Sequence, residues 1–270
     1  NFKNLTDWET NTIHANNFKF YEELDEVIQR EPSDLFSPEL LGMASSIGIE
    51  KGKPFNPSPQ QKALLTEAVA IGNATARSIL FGPKDPKNYI YPGKAGYWQT
   101  GFPGGSHEYL VNKGNGGRDM DGRTLFFYLA TVNTPAMALE IPGVGSQYAF
   151  SSRDGSGAYL NGSNTYKLNI PANPPAQKFW SFVVYDPQTR SMLQTGEMPY
   201  PSKNNKRNAD MVKNADGSID LYFGPQAPAG MEANWVKTVP GKGWFGIFRL
   251  YGPGQQWFDR TWKLGNIEKV

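Results

Sequence analysis

The amino-acid sequence predicts an α+β protein, an N-terminal helical segment packed on a C-terminal antiparallel β-sandwich or jelly roll. Three observations carry that prediction. Apolar residues recur at helical spacing through the N-terminal part, with helix starts and stops between them. From Gln147 onward the pattern changes to short runs of period two, divided by Gly and Pro turns. Two of these runs, Phe179 to Tyr185 and Trp244 to Tyr251, are almost wholly aromatic and aliphatic, which marks strands buried on both faces.

Each element has its own signal. Asn16 or Asn17 can cap a first helix with Phe18, Tyr21, Leu24 and Ile28 on one face, and Pro32 stops it. A second opens at Ser37-Pro38-Glu39-Leu40 and ends before Gly48. The third has the strongest start: Ser58 as N-cap, Pro59 at the first helical position and Gln61 to complete a capping box. Its stripe runs Leu65, Val69, Gly72, Ala76, Ile79, Leu80, and Gly82-Pro83 ends it. The small Ala68, Gly72 and Ala76 allow close packing on a neighbour. Tyr89 to Gly117 is rich in glycine with aromatic residues between, and reads as a long, partly irregular segment of the kind that often carries function. Arg118 to Leu139 reads as a helix that Pro135 ends or kinks. Beyond it, Tyr166, Leu168 and Ile170 form one alternating strand and Ile219, Leu221 and Phe223 another. Pro171 to Pro175 is a break, and Asp186-Pro187-Gln188-Thr189 is a turn. The resulting boundaries are a helical segment over 1–83, a Gly-rich connection and helix over 84–146, and the β region over 147–270.

Composition narrows the function classes. A chain of 270 residues can bury a sizeable core, and its Gly 29 and Pro 21 point to many turns. The formal charge is only +2, and the one basic run, Lys203-Asn204-Asn205-Lys206-Arg207, reads as a solvated loop, so no nucleic-acid partner is expected. No apolar run approaches the ~18 residues of a membrane span. Cysteine is absent, which excludes disulfides, thiolate nucleophiles and zinc–thiolate sites. No G-x-S-x-G elbow, P-loop, H-E-x-x-H or dinucleotide-binding glycine pattern occurs, and no cofactor is called for. With only His14 and His107, a three-histidine metal site is impossible within one chain; no metal ligand is assigned, although a mixed histidine and carboxylate site stays open.

The densest charged cluster is Arg118-Asp119-Met120-Asp121-Gly122-Arg123. Two carboxylates flanked by two guanidiniums can hold an acid/base or bind a cation; a helix start stabilised by carboxylates accounts for the same pattern. His107 lies nearby on the Gly-rich segment, and Arg153-Asp154-Gly155-Ser156-Gly157 has the composition of a hairpin turn. Tyr97, Trp98 and Tyr159 can supply flat binding surfaces, whereas Trp180 and Trp244 sit in apolar strands and read as core. The leading reading is a hydrolase for a small or medium organic substrate, its site where the Gly-rich segment meets the sandwich. Asp119 or Asp154 would be its acid/base, Arg118 or Arg123 its anion stabiliser, and Tyr97 and Trp98 its binding surface. The alternatives are a non-catalytic carbohydrate-binding module and a structural subunit completed by another module.

A series of dispersed motifs points to a family. They are Tyr148, Arg153-Asp154, Gly157, Leu160, Gly162, Tyr166, Pro171 and Phe179-Trp180-Ser181, then Asp216-Gly217-Ser218, Gly224-Pro225, Asn234-Trp235, Thr238-Val239-Pro240-Gly241-Lys242, Arg249-Leu250-Tyr251-Gly252-Pro253 and Arg260-Thr261-Trp262-Lys263. In this order they resemble the C-terminal module of domain of unknown function 1214, which in that family follows a module called domain of unknown function 1254. The resemblance implies that 147–270 is the 1214-like module and 1–83 the helical tail of a 1254-like module. With no Met start and no leader pattern at Asn1, the chain is expected to be a mature or cleaved piece of a longer polypeptide, or one cut for crystallisation. The implied partner is the missing N-terminal module, a second chain derived from it, or a further copy in a homo-oligomer. The family favours a periplasmic or extracellular location. Its name implies no activity.

Overall fold

Ser58 Oγ accepts the amide of Gln61 at 3.2 Å and starts the longest helix of the computed structural model, α3 (Pro59–Phe81). The structure describes residues 13–130 and 132–270. Residues 1–12 of the expected helical segment, and Thr131 within the expected helix 118–139, lie outside the described residues. The chain forms two compact units that divide after Ser78, so that the end of α3 belongs to the second.

In the first unit, α1 (Lys19–Arg30) and α2 (Pro38–Ser46) precede α3. Asn17 Oδ1 accepts the amide of Lys19 at 3.0 Å, and Ser37 Oγ that of Leu40 at 3.4 Å, so both starts carry the side-chain acceptors their sequence predicts. Tyr21 and Ile28 of α1 are buried with Ala44, Ile49 and Leu65, and Phe18 and Leu24 pack against them. At the C-terminus of α1, Lys51 Nζ donates to the carbonyls of Ile28, Gln29 and Glu31 at 3.2, 2.9 and 2.7 Å, which satisfies oxygens that no helical amide can reach. Two details depart from expectation. Gln61 Nε2 donates to the carbonyl of Ile47 at 2.7 Å, so its amide serves a tertiary contact. Ala68 and Gly72 are exposed, and no atom lies near enough to Gly72 to need its small size.

The second unit is built on two four-stranded sheets, one ordered β1-β7-β3-β4 and the other β6-β5-β2-β8. The first contains β1 (Ser146–Ser151), β3 (Ala176–Tyr185), β4 (Ser202–Asn204) and β7 (Phe245–Pro253). The second contains β2 (Tyr166–Ile170), β5 (Ile219–Gly224), β6 (Trp235–Lys237) and β8 (Ile267–Lys269). Pairing is antiparallel except between β5 and β6. The predicted β3 and β7 are neighbours, with Trp180 opposite Leu250 and Phe182 opposite Phe248. These side chains share one core with Leu168, Ile170, Leu221, Phe223 and Ile267 of the other sheet. The rings of Phe182 and Phe223 meet across it at 4.8 Å. Phe182 also lies flat on bare backbone: a Cβ on Gly246 would fall 2.1 Å from its ring. Phe150, Val183, Phe245 and Ile247 are buried as well, on the other face of the first sheet, which explains why these strands are apolar without alternation. The result is the predicted α+β sandwich.

The Gly-rich segment is irregular, as expected, with short 3-10 turns at Pro92–Tyr97, Pro103–Gly105 and Asn112–Gly114, after one at Pro86–Asn88. Its Gln99 bridges to Phe150 of β1. The single helix expected over 118–139 is two, α4 (Met120–Ala130), which ends before Pro135 is reached, and the short α5 (Pro135–Ala138), at whose start proline is favoured. A last short helix, α6 (Gln255–Phe258), precedes β8. No helix among the described residues is long and apolar enough to cross a membrane.

Candidate functional site

Asp119 stands immediately before α4. Its amide donates to the carbonyl of Tyr109 at 2.7 Å, and its Oδ1 accepts the amide of Gly122 at 3.0 Å, which caps the helix. The other oxygen, Oδ2, lies 3.1 Å from Lys87 Nζ and has no other donor. Lys87 reaches Oδ2 of Asp85 at 2.9 Å as well. The hydrogen bond that Lys87 donates to Asp85, then its contact with Asp119, hold the lysine pKa above its ordinary value against the opposing effect of burial. The amide and ammonium of Lys87 in turn hold the Asp85 carboxyl below its usual range.

This ion pair lines an open cavity of about 590 Å³, which the Gly-rich loop borders through Gly104, Ser106 and Asn112. The loop takes an unusual path. Tyr109 and Asn112, both non-glycine, have φ of 57° and 50°, in the left-handed region. Tyr109 is held there by burial against the paired rings of Phe102 and Phe126 and by its hydroxyl, which donates to the carbonyl of Gly101 at 3.3 Å. Burial pushes the Tyr109 phenol far up, so it stays a neutral donor.

The other residues singled out in the sequence divide. Arg118 is exposed, donates to the carbonyl of Glu108 at 2.6 Å and does not line the cavity. Arg123 continues α4, its amide 3.0 Å from the carbonyl of Asp119, and does not line it either. His107 is exposed beside the loop; Asn133 Nδ2 donates to its carbonyl at 2.8 Å. Asp154 is buried, and its Oδ1 accepts the amides of Ser156 and Ala158, each at 3.0 Å, and the Ser156 hydroxyl at 2.6 Å: it shapes the hairpin turn. Arg153 donates to the carbonyl of Gly157 and the hydroxyl of Tyr159, each at 2.7 Å, and stacks on the Tyr159 ring at 3.9 Å. Tyr97, half-buried, packs on Gly157 of the same hairpin. Trp98 has no exposed surface and donates to the carbonyl of Gly265 at 2.9 Å, so it belongs to the core and does not extend a binding surface from Tyr97. The expected single constellation is therefore two, one around Asp119 and one around the hairpin at Asp154. Lys87 is the residue that sequence reasoning missed; the Asp85-Pro86-Lys87 turn, with Asp85 Oδ1 accepting the Lys87 amide, was the available signal. Among the described residues no group of three His, Asp or Glu side chains converges closely enough to hold a metal ion.

An α+β sandwich carrying a lysine–aspartate cavity outside its sheets is the class that fold and site define. The model of the family described as protein of unknown function (DUF1214) matches residues 145–255, so the resemblance carried by the dispersed motifs holds for the C-terminal part of the chain. None of the curated proteins matches the chain. Among solved structures it is similar to the VPA0106 protein from Vibrio parahaemolyticus, at 20% identity and a TM-score of 0.46, over 93% of this chain and 55% of the other. It is also similar to a putative uncharacterized protein from Burkholderia cenocepacia, at 17% identity and a TM-score of 0.38, over 86% of this chain and 48% of the other. The chain thus spans about half the length of these structures.

Proposed function

We propose that the chain binds a small polar organic molecule in the cavity beside α4, between Lys87 and Asp119. The observation that carries this reading is the ion pair itself, opening on a cavity of about 590 Å³, a size suited to small ligands. The Lys87 ammonium, whose side chain is 38% exposed, can donate to a ligand oxygen, while the buried Oδ2 of Asp119 holds it in place. Left-handed backbone at Tyr109 and Asn112 supports the reading, since conformations of that kind collect at ligand sites.

Hydrolysis is the second reading. It is favoured by the Asp119 carboxylate at the cavity wall, whose buried Oδ2 would take a proton from an attacking water once the loop uncovers it, with Lys87 in the anion-stabilising role expected of Arg118 or Arg123. One experiment addresses both. Polyols, amino alcohols, small esters and small amides are screened by thermal shift, with product detection by NMR, on wild type, Lys87→Met and Asp119→Asn. Asparagine keeps the oxygen that caps α4, so folding is preserved. Ligand binding lost in both variants supports the site, and product formation lost in Asp119→Asn supports hydrolysis. Ligands that stabilise all three proteins equally overturn both readings.

A further module or second copy as partner is supported by Leu35, Met43, Leu64 and Ile71 of the helical unit, which are 59–67% exposed. Light scattering tests it, and a lone 30.0 kDa species at low concentration counts against it. The periplasmic or extracellular location implied by the resemblance is tested by cell fractionation.

A further inference from the structure

The basic run expected to be a solvated loop instead begins in β4, where Lys203 and Asn204 are buried, and the loop that continues it borders a second cavity, of about 330 Å³. The floor of this cavity is apolar: Trp180 of β3, Ile219 of β5 and Met211 are all buried. The rim is polar, with Asn173, Asn205, Asn208 and Lys213. Two of these amides have a fixed orientation. Asn205 Oδ1 accepts the amide of Trp180 at 3.0 Å, and Asn208 Oδ1 accepts the amide of Asn204 at 3.0 Å. A backbone N–H can only donate, so the carbonyl oxygen of each side chain faces it and the NH2 group is the end left over. Neither NH2 group has an acceptor among the described residues, and Lys213 has no ion-pair partner there. No aspartate or glutamate lines the cavity; Asp216, next to Gly217 on the rim, is occupied by the amide of Ser218 at 2.9 Å.

We infer that this cavity is a second binding site, for a small organic carboxylate whose apolar body lies over Trp180, Met211 and Ile219. Its two oxygens take the NH2 groups of Asn205 and Asn208 and the ammonium of Lys213. The chemistry of the rim selects that class. The two oriented NH2 groups and the ammonium are donors, and a carboxylate is a pure acceptor that can meet all three and carries the charge complementary to Lys213, whereas a sugar hydroxyl brings no charge. The volume, near the lower end of the roughly 300–1,000 Å³ of small-molecule sites, suits a ligand the size of a substituted phenyl ring.

The test uses the full chain with benzoate and phenylacetate as probes and benzamide and phenylacetamide as their uncharged counterparts. Side-chain amide resonances of Asn205 and Asn208 are followed by NMR. The carboxylates are expected to shift both resonances saturably, and the amides to bind at least tenfold more weakly. Asn208→Asp keeps an oxygen for the Asn204 amide but replaces the free donor with a charged acceptor; it is expected to weaken carboxylate binding by roughly tenfold or more, as is Lys213→Met. Lys213 is exposed, so that variant decides the matter should Asn208→Asp fold poorly. Unmoved resonances, equal binding of acids and amides, unchanged affinity in Lys213→Met, or saturable shifts with glucose in place of the acids would each overturn the assignment.

Discussion

Lys87 Nζ stands 3.1 Å from Oδ2 of Asp119, an ion pair that ties the turn before the Gly-rich segment to the helix after it. The two partners are unequal. The Asp119 side chain is 10% exposed and that of Lys87 38% exposed, so water screens the lysine more than the carboxylate.

The first prediction is the strength of this coupling. A double-mutant cycle of Lys87→Met and Asp119→Asn, measured by urea unfolding, should give about 1 kcal/mol, the value of a partly screened pair. High salt should reduce it. A coupling indistinguishable from zero at low salt would mean that the contact is incidental to the fold.

The second prediction is the pH profile. The Lys87 pKa is raised on folding, so its contribution is complete below the ordinary lysine value of about 10.4 and is lost as pH rises through the folded-state value. The Asp85 pKa is lowered, so its contribution is present above the ordinary aspartate value of about 3.9 and is lost as pH falls through the folded-state value. Asp216 and Asp259, lowered by the hydroxyls and then the amides of Ser218 and Thr261, add to the acid limb in the same sense. The urea midpoint of wild type should therefore fall off on both sides of a neutral plateau. The phenols of Tyr91, Tyr109 and Tyr185, which burial pushes up, add to the alkaline limb in the same sense, so Lys87→Met should shrink that limb without removing it; an alkaline limb of unchanged size would assign it wholly to the tyrosines.

How much of this was legible follows from the range of the interactions. The strands around Phe182 and Phe248 were legible because burial on both faces leaves a continuous apolar run, and the start of α3 because Ser58 and Pro59 act within one turn. Lys87 was not, since Asp85-Pro86-Lys87 reads as a solvated turn until the loop folds back to place Asp119 beside it. Trp98 misled for the converse reason. An indole among glycines suggests an exposed platform, and only its hydrogen bond to Gly265, far along the chain, shows that it is buried. In the cluster from Arg118 to Arg123 the arginines drew attention by composition, but helical geometry places Asp119 alone of the named site residues on the cavity.

The third prediction separates two glycines. Gly246 lies in the central strand β7, where a Cβ would collide with the fully buried ring of Phe182 at 2.1 Å. That ring is packed on all sides and cannot withdraw, so Gly246→Ala should cost about 1–3 kcal/mol. Gly42 is inside α2 with nothing within 4 Å of the added methyl, so Gly42→Ala should stabilise by about 0.5–1 kcal/mol through helix propensity. Melting temperatures of the two variants should move in opposite directions. A neutral Gly246→Ala would show that the core around Phe182 is looser than its packing implies.

The fourth prediction concerns Asn234, one of the motif residues. It is 1% exposed and makes three hydrogen bonds: Oδ1 accepts the amide of Val212 at 2.7 Å, and Nδ2 donates to the carbonyls of Val212 and Asp220 at 2.9 and 2.8 Å. The side chain thus joins the loop before β5 to β5 itself, just where β6 begins. Asn234→Asp keeps the acceptor and removes both donors, which aims a buried carboxylate at two carbonyl oxygens. At neutral pH this should cost about 2–4 kcal/mol. Protonation restores one donor, so the introduced carboxyl has a folded-state pKa above its unfolded value. The native state then binds the proton more tightly, and the deficit against wild type should shrink as pH falls from 7 toward 5. Asn234→Ala has no proton to gain and leaves both carbonyls and the Val212 amide without their partner, so its deficit should stay constant over that range. Urea unfolding of wild type and both variants at the two pH values decides it: parallel deficits for Asp and Ala would show that water, not the asparagine amide, satisfies the carbonyls of Val212 and Asp220.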